Sequence, residues 1–172
     1  MSRRGALSVL AVVLVAVVAA PQALARPLTE RQALARPLTE RRAASVTRDT
    51  ALIAAVNSVR TLHLLPRLSV DVNLSRAARS HSRDMLLRDY FAHGNFSVRM
   101  SRFGVRGHVF AENLAWGTGV MSANTTVAHW LASPPHRTIL LDPALRRIGV
   151  ATPIGAFGGF ARTTMVTADF AG

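Results

Sequence analysis

Apolar residues at Leu52, Ile53, Val56 and Val59 fall on one helical face and predict a first helix over residues 47–63, stopped by Pro66. Asp71 is placed to cap a second helix over 72–89, with a buried stripe of Leu74, Ala77, Ala78, His81 and Met85. Residues 89–95 read as a loop and 97–103 as a short helix closed by Gly104 and Gly107. Residues 109–116 read as extended. A third long helix is expected over 122–132, ended by Ser133-Pro134-Pro135. Two strands are expected over 145–152 and 163–170, with 155–159 as a connecting loop. Helices come early and strands late, without βαβ alternation, so the fold class is α+β, with helices covering an antiparallel sheet.

The N-terminus has a different pattern. Arg3-Arg4 precede an almost wholly apolar run from Ala6 to Ala20, and Ala23-Leu24-Ala25 forms a small-x-small cleavage site. These are the three parts of a secretory signal peptide over 1–25. QALARPLTER at 22–31 recurs unchanged at 32–41, so Ala33-Leu34-Ala35 offers a second cleavage site. A ten-residue copy is too short for a solenoid repeat. Residues 26–46 are expected to be a basic, flexible linker, and 47–172 the folded domain. Export places the mature chain outside the cytoplasm, secreted or held in the cell envelope, with no membrane span left.

The 172 residues carry 21 basic and nine acidic side chains, a formal charge of +12, and every basic residue is Arg. Cleavage of the leader removes two of those charges, Arg3 and Arg4. A basic exported domain suits anionic envelope polymers or phospholipid headgroups. Nucleic acid is not expected as a partner, because neither a helix-turn-helix spacing nor an aromatic-interleaved basic groove is present. There is no Cys, which excludes disulfides, a thiol nucleophile and Cys-ligated zinc.

Several motifs follow one another in a set order. Asn57-x-x-Arg60 comes first, then Asp84-Met85 with Tyr90-Phe91-x-His93. Ala111-Glu112-Asn113-Leu114-Ala115 is next, then Trp130-Leu131-x-Ser133-Pro134-x-His136-Arg137, and last Ile148-Gly149-Val150. In that order they resemble the CAP superfamily of cysteine-rich secretory, antigen 5 and pathogenesis-related proteins, in its short, cysteine-free bacterial form. The resemblance covers about residues 50–170. It implies a three-layer α-β-α sandwich with a small antiparallel sheet between helices. It also implies a cleft in which a His–Glu–Glu–His tetrad can hold a divalent metal, and lipid or sterol binding in some members.

Carried over by position, His93, Glu112 and His136 match three tetrad members. Where the second Glu would fall, the chain has Leu131, Ala132 and Ser133. Two imidazoles and one carboxylate are a zinc set with one place left for water, so a divalent cation, zinc foremost, is expected at low occupancy. The site residues are thus His93, Glu112 and His136, with Ser133 beside them. The expected function is an exported binding module for a lipid, an amphipathic molecule or a cell-wall component. The alternative is a hydrolase, either metal-assisted or built on Ser133, His136 and Glu112 as a Ser–His–Glu set, although no nucleophile elbow accompanies Ser133. His81 reads as a hydrogen-bonded core residue, His63 as a helix-end residue and His129 as outward-facing or packing. His108 reads as a residue of the cleft rim.

Overall fold

The structure, a computed structural model, describes residues 37–172. The signal peptide and most of the linker lie outside the described residues. Helix α1 spans Leu38–Leu62 and α2 Val72–Arg88, with the two-residue strand β1, Ser69–Val70, between them. Then come α3 (Phe96–Arg102), β2 (Phe110–Thr118), α4 (Ala123–Ala132) and α5 (Pro134–Leu140). Strands β3 (Arg147–Ala151), β4 (Ile154–Phe157) and β5 (Phe160–Ala171) complete the chain. The sheet order is β1-β3-β5-β2, with β4 folded back on the start of β5. Only β1 and β3 run parallel. Among the described residues no helix is long and apolar enough to cross a membrane.

Alternation along β5 builds the three layers. Val166, Ala168 and Phe170 point to one face and pack with Ile148 and Val150 against Leu52 and Val56 of α1, Val127 and Trp130 of α4, and Leu140 of α5. Met165, Thr167 and Ala171 point to the other face. There Met85 packs on Met165, Ser82 Oγ donates to Thr167 Oγ1 at 2.7 Å, and Leu74 and Ala77 pack with Ala171. The result is the expected α-β-α sandwich.

Gly149 explains how closely α2 lies on the sheet. A Cβ there would collide with the backbone of Leu74 and Ser75, so only glycine admits the first turn of α2. Asp71 caps that turn by accepting from Asn73 N at 2.8 Å and Leu74 N at 3.1 Å. The Asn57-x-x-Arg60 pair in α1 is structural as well. Asn57 clamps Leu68 through both its side-chain atoms, and Arg60, fully buried, donates to the carbonyls of Pro66, Leu140, Asp142 and Leu145.

Three local expectations change. Helix α1 starts at Leu38 rather than 47, so the described end of the expected flexible linker, residues 38–46, is helical. Strong helix formers without Gly or Pro run on from Pro37, and Ser45 and Asp49 are already buried. Pro134-Pro135 ends α4 but also opens α5, because proline is tolerated in the first turn of a helix. Residues 155–159 are not all loop: β4 pairs with β5 through a turn at Gly158-Gly159, where both glycines have positive φ.

Candidate functional site

Glu112 stands on β2 directly opposite Asp169 of β5, and Gly149 of β3 completes the row. The alternation that sends Thr167 toward α2 sends Asp169 there too, so two carboxyls meet beneath α2 and α3. Arg99 of α3 is their counter-ion. Its Nη2 donates to Glu112 Oε2 and lies 3.7 Å from Asp169 Oδ1, while its Nη1 donates to the carbonyl of His93 at 3.1 Å. Side-chain exposure is 3% for Glu112, 10% for Arg99 and 0% for Asp169.

Burial raises Glu112 above the ordinary carboxylate range, and the Arg99 guanidinium opposes that rise. Asp169 is pushed up further, by burial first and by the Glu112 charge second. No hydrogen bond reaches either Asp169 oxygen, so a proton on one of the two facing carboxyls relieves an otherwise poorly compensated buried charge. We place that proton on Asp169, because an ionised Asp169 would be a second buried anion facing one cation.

His93 sits above this pair. Its Nδ1 bonds Glu112 Oε1 at 2.7 Å although its side chain is 60% exposed. The loop that carries it is fixed on both sides. His81 Nε2 donates to the Ala92 carbonyl at 3.0 Å, and Tyr90 OH donates to Asp84 Oδ2 at 2.7 Å. Burial and the Arg99 charge bring His81 down to about 4, so it is neutral and holds its proton for Ala92. Burial, then Asp84, pushes Tyr90 up to about 12. Asp89 and Gly94 turn the loop at positive φ.

His136 arrives from the opposite layer, on α5. Asn113, which points away from Glu112, donates to the His136 carbonyl at 3.1 Å and ties α5 to β2. His136 Nδ1 and Ser133 Oγ are 2.7 Å apart. Burial and then the nearby His93 lower the His136 pKa. His93 and His136 thus come to β2, the edge strand of the sheet, from its two opposite layers.

The donors fit zinc in kind, but their placement does not make a cage. Both Glu112 oxygens are taken, one by His93 and one by Arg99, and no three His, Asp or Glu side chains among the described residues are grouped as a metal ion needs. Ser133 and His136 form a pair, but Glu112 is committed elsewhere and does not orient His136. A Ser–His–Glu set therefore lacks its third link in this arrangement.

A sequence comparison covers the elements that carry these residues. A family model described as the cysteine-rich secretory protein family, CAP, matches residues 53–170. The chain belongs to this family. A Bacillus subtilis protein, the uncharacterized YkwD, is 32% identical over 104 residues, which is 58% of this chain and 40% of that protein. The chain thus spans well under half of that relative. An extracellular SCP-domain protein of Bacillus anthracis superimposes with a TM-score of 0.66 at 23% identity, over 79% of this chain and 44% of the other. An outer surface protein of Borrelia burgdorferi gives 0.56 at 20% identity, over 69% and 88%. These superpositions support the CAP fold.

Two residues of this cluster, Arg99 and Asp169, were not singled out from the sequence. Asp169 carried a signal, as the one acid of the final strand, set between the apolar Ala168 and Phe170. Arg99 carried none, being one of 21 basic residues. Of the remaining histidines, His63 is the C-cap residue of α1, and His108 and His129 are exposed without a contact to Glu112.

Proposed function

We propose that this chain is an exported CAP-domain binding module, with its ligand held at the edge of β2 by His93, His136 and Ser133. The observation that carries the reading is the His93–Glu112 bond: a largely exposed imidazole fixed by a carboxylate that is almost wholly buried. An ordinary surface histidine is not anchored in this way. With Nδ1 held by Glu112, Nε2 remains to meet a ligand. Phe91, exposed on the same loop, supplies an apolar contact, so the ligand class is a lipid or other amphipathic molecule, or an anionic envelope component. A location outside the cytoplasm is supported by the leader-like N-terminus and by the descriptions of the Bacillus anthracis and Borrelia proteins as extracellular and outer-surface. Divalent cations bind weakly here, because an ion must displace Arg99 from Glu112.

Calorimetric titration with dodecyl phosphate below its micelle concentration tests the reading. Binding to the wild type, lost in His93→Ala and His136→Ala and kept in His129→Ala, is expected. Equal loss in all three variants, or no binding to the wild type, contradicts a ligand site at β2.

A further inference from the structure

A second surface lies beyond Arg99. A groove of about 650 Å³ runs between α2 and α3 and is lined by Arg76, Arg79, Arg83, Arg88, Arg99 and Arg102, with Asp84 as its only acid. Arg76, Arg79 and Arg83 recur at i, i+3 and i+7 and form one stripe on α2, while Arg99 and Arg102 stand on the α3 wall. Three of the six are neutralised: Arg79 by Asp49, Arg88 by Asp84 and Arg99 by Glu112. Arg76 stacks on Phe103 and has no acidic partner among the described residues. Arg83 and Arg102 are exposed and make no bond to a described side chain. The floor has an unmet donor too, since Arg99 Nε is buried without an acceptor.

We propose that this groove binds a linear polyanion, a chain of phosphate groups, along α2. Guanidinium groups bind phosphate oxygens in pairs and stay charged at every relevant pH. The stripe from Arg76 to Arg83 covers about 10 Å of helix, which distributes charge for several anionic groups rather than one. The proposal rests on the binding-module reading and adds a partner and a surface separate from the His93–His136 edge.

The test is fluorescence-anisotropy titration of the full chain with labelled inorganic polyphosphate at fixed salt. The double variant Arg83→Glu/Arg102→Glu is expected to bind about tenfold more weakly and to show a shallower salt dependence. Arg67→Glu/Arg162→Glu removes the same charge from exposed positions outside the groove and should change affinity by less than about threefold. Equal weakening by both pairs overturns the proposal, since net charge alone would then attract the polymer. Monomeric phosphate competing as well as the chain, or binding only to phosphatidylglycerol vesicles, also overturns it. Arg83→Gln/Arg102→Gln, which introduces no new charge, should weaken binding in the same direction if the reversed pair fails to fold. His93→Ala should leave polyphosphate binding intact, so failure of the β2-edge reading is seen separately from failure of the groove.

Discussion

Glu112 and Asp169 lie directly opposite one another on neighbouring antiparallel strands, both buried, with one guanidinium, Arg99, between them and neutrality. Directly opposed like charges destabilise a sheet, so one of the two must keep its proton. The pair gives the exposed His93 a fixed anchor.

Replacing Asp169 with Asn tests that arrangement. The folded-state pKa of Asp169 is raised, so the wild type loses stability as pH rises from about 4, the unfolded value, through the raised folded one. Asp169→Asn should match the wild type near pH 4 and exceed it at pH 8, by about 1.4 kcal/mol for each unit of the rise. Melting temperatures across that range measure it, and parallel curves for the two proteins would contradict it.

His81 has the opposite slope. Its folded value is about 4 against an ordinary 6.5, so its contribution is lost as pH falls between those values. His81→Gln can still donate to Ala92 and should flatten the acid side of the stability curve. The same pH series of thermal unfolding reads both variants.

Arg99 occupies Glu112 Oε2, an oxygen that a bound cation would need. Zinc should bind the wild type with a Kd of about 1 mM or weaker, and more weakly still as acid protonates the imidazoles. Arg99→Met should tighten binding by freeing Glu112, and Ser133→Glu by adding a carboxylate near His136. His136→Ala should abolish binding, while His129→Ala should change little. Calorimetry decides, and an Arg99→Met protein no tighter than wild type would show that the guanidinium is not what keeps metal out.

Arg60 holds the end of α1 to the turn that leads into β3. Arg60→Met would remove the guanidinium from all four carbonyls, leaving Asp142 and Leu145 their bonds from Leu145 N and Arg146 but stranding those of Pro66 and Leu140, and should cost about 3 kcal/mol. Urea unfolding measures the loss.

Local signals were legible in the sequence wherever the cause is local. The Asp71 cap, the stripe from Leu74 to Met85 and the Ser122 start of α4 all depend on residues within a few positions of one another. The family motifs put His93 and Glu112 in one site, and the structure bonds the two side chains. What escaped depends on register. Asp169 belongs to the site because β5 pairs with β2 in one particular alignment, and a shift of one residue would turn it to the other face. Arg99 reaches Glu112 through a folded loop that no spacing rule encodes. His136 bonds Ser133, because α5 begins at Pro134 and its first turn brings the two side chains together.

Buried Glu112, facing Asp169 across the sheet and balanced by Arg99, holds His93 at the surface. Carboxyl-carbon NMR of the two residues through a pH titration tests it most directly. Asp169 should remain protonated well above the ordinary carboxylate range, Glu112 should respond when Asp169 titrates, and Arg99→Met should raise Glu112 further. Independent titration of both carboxyls near pH 4, unchanged by Arg99→Met, would contradict the account.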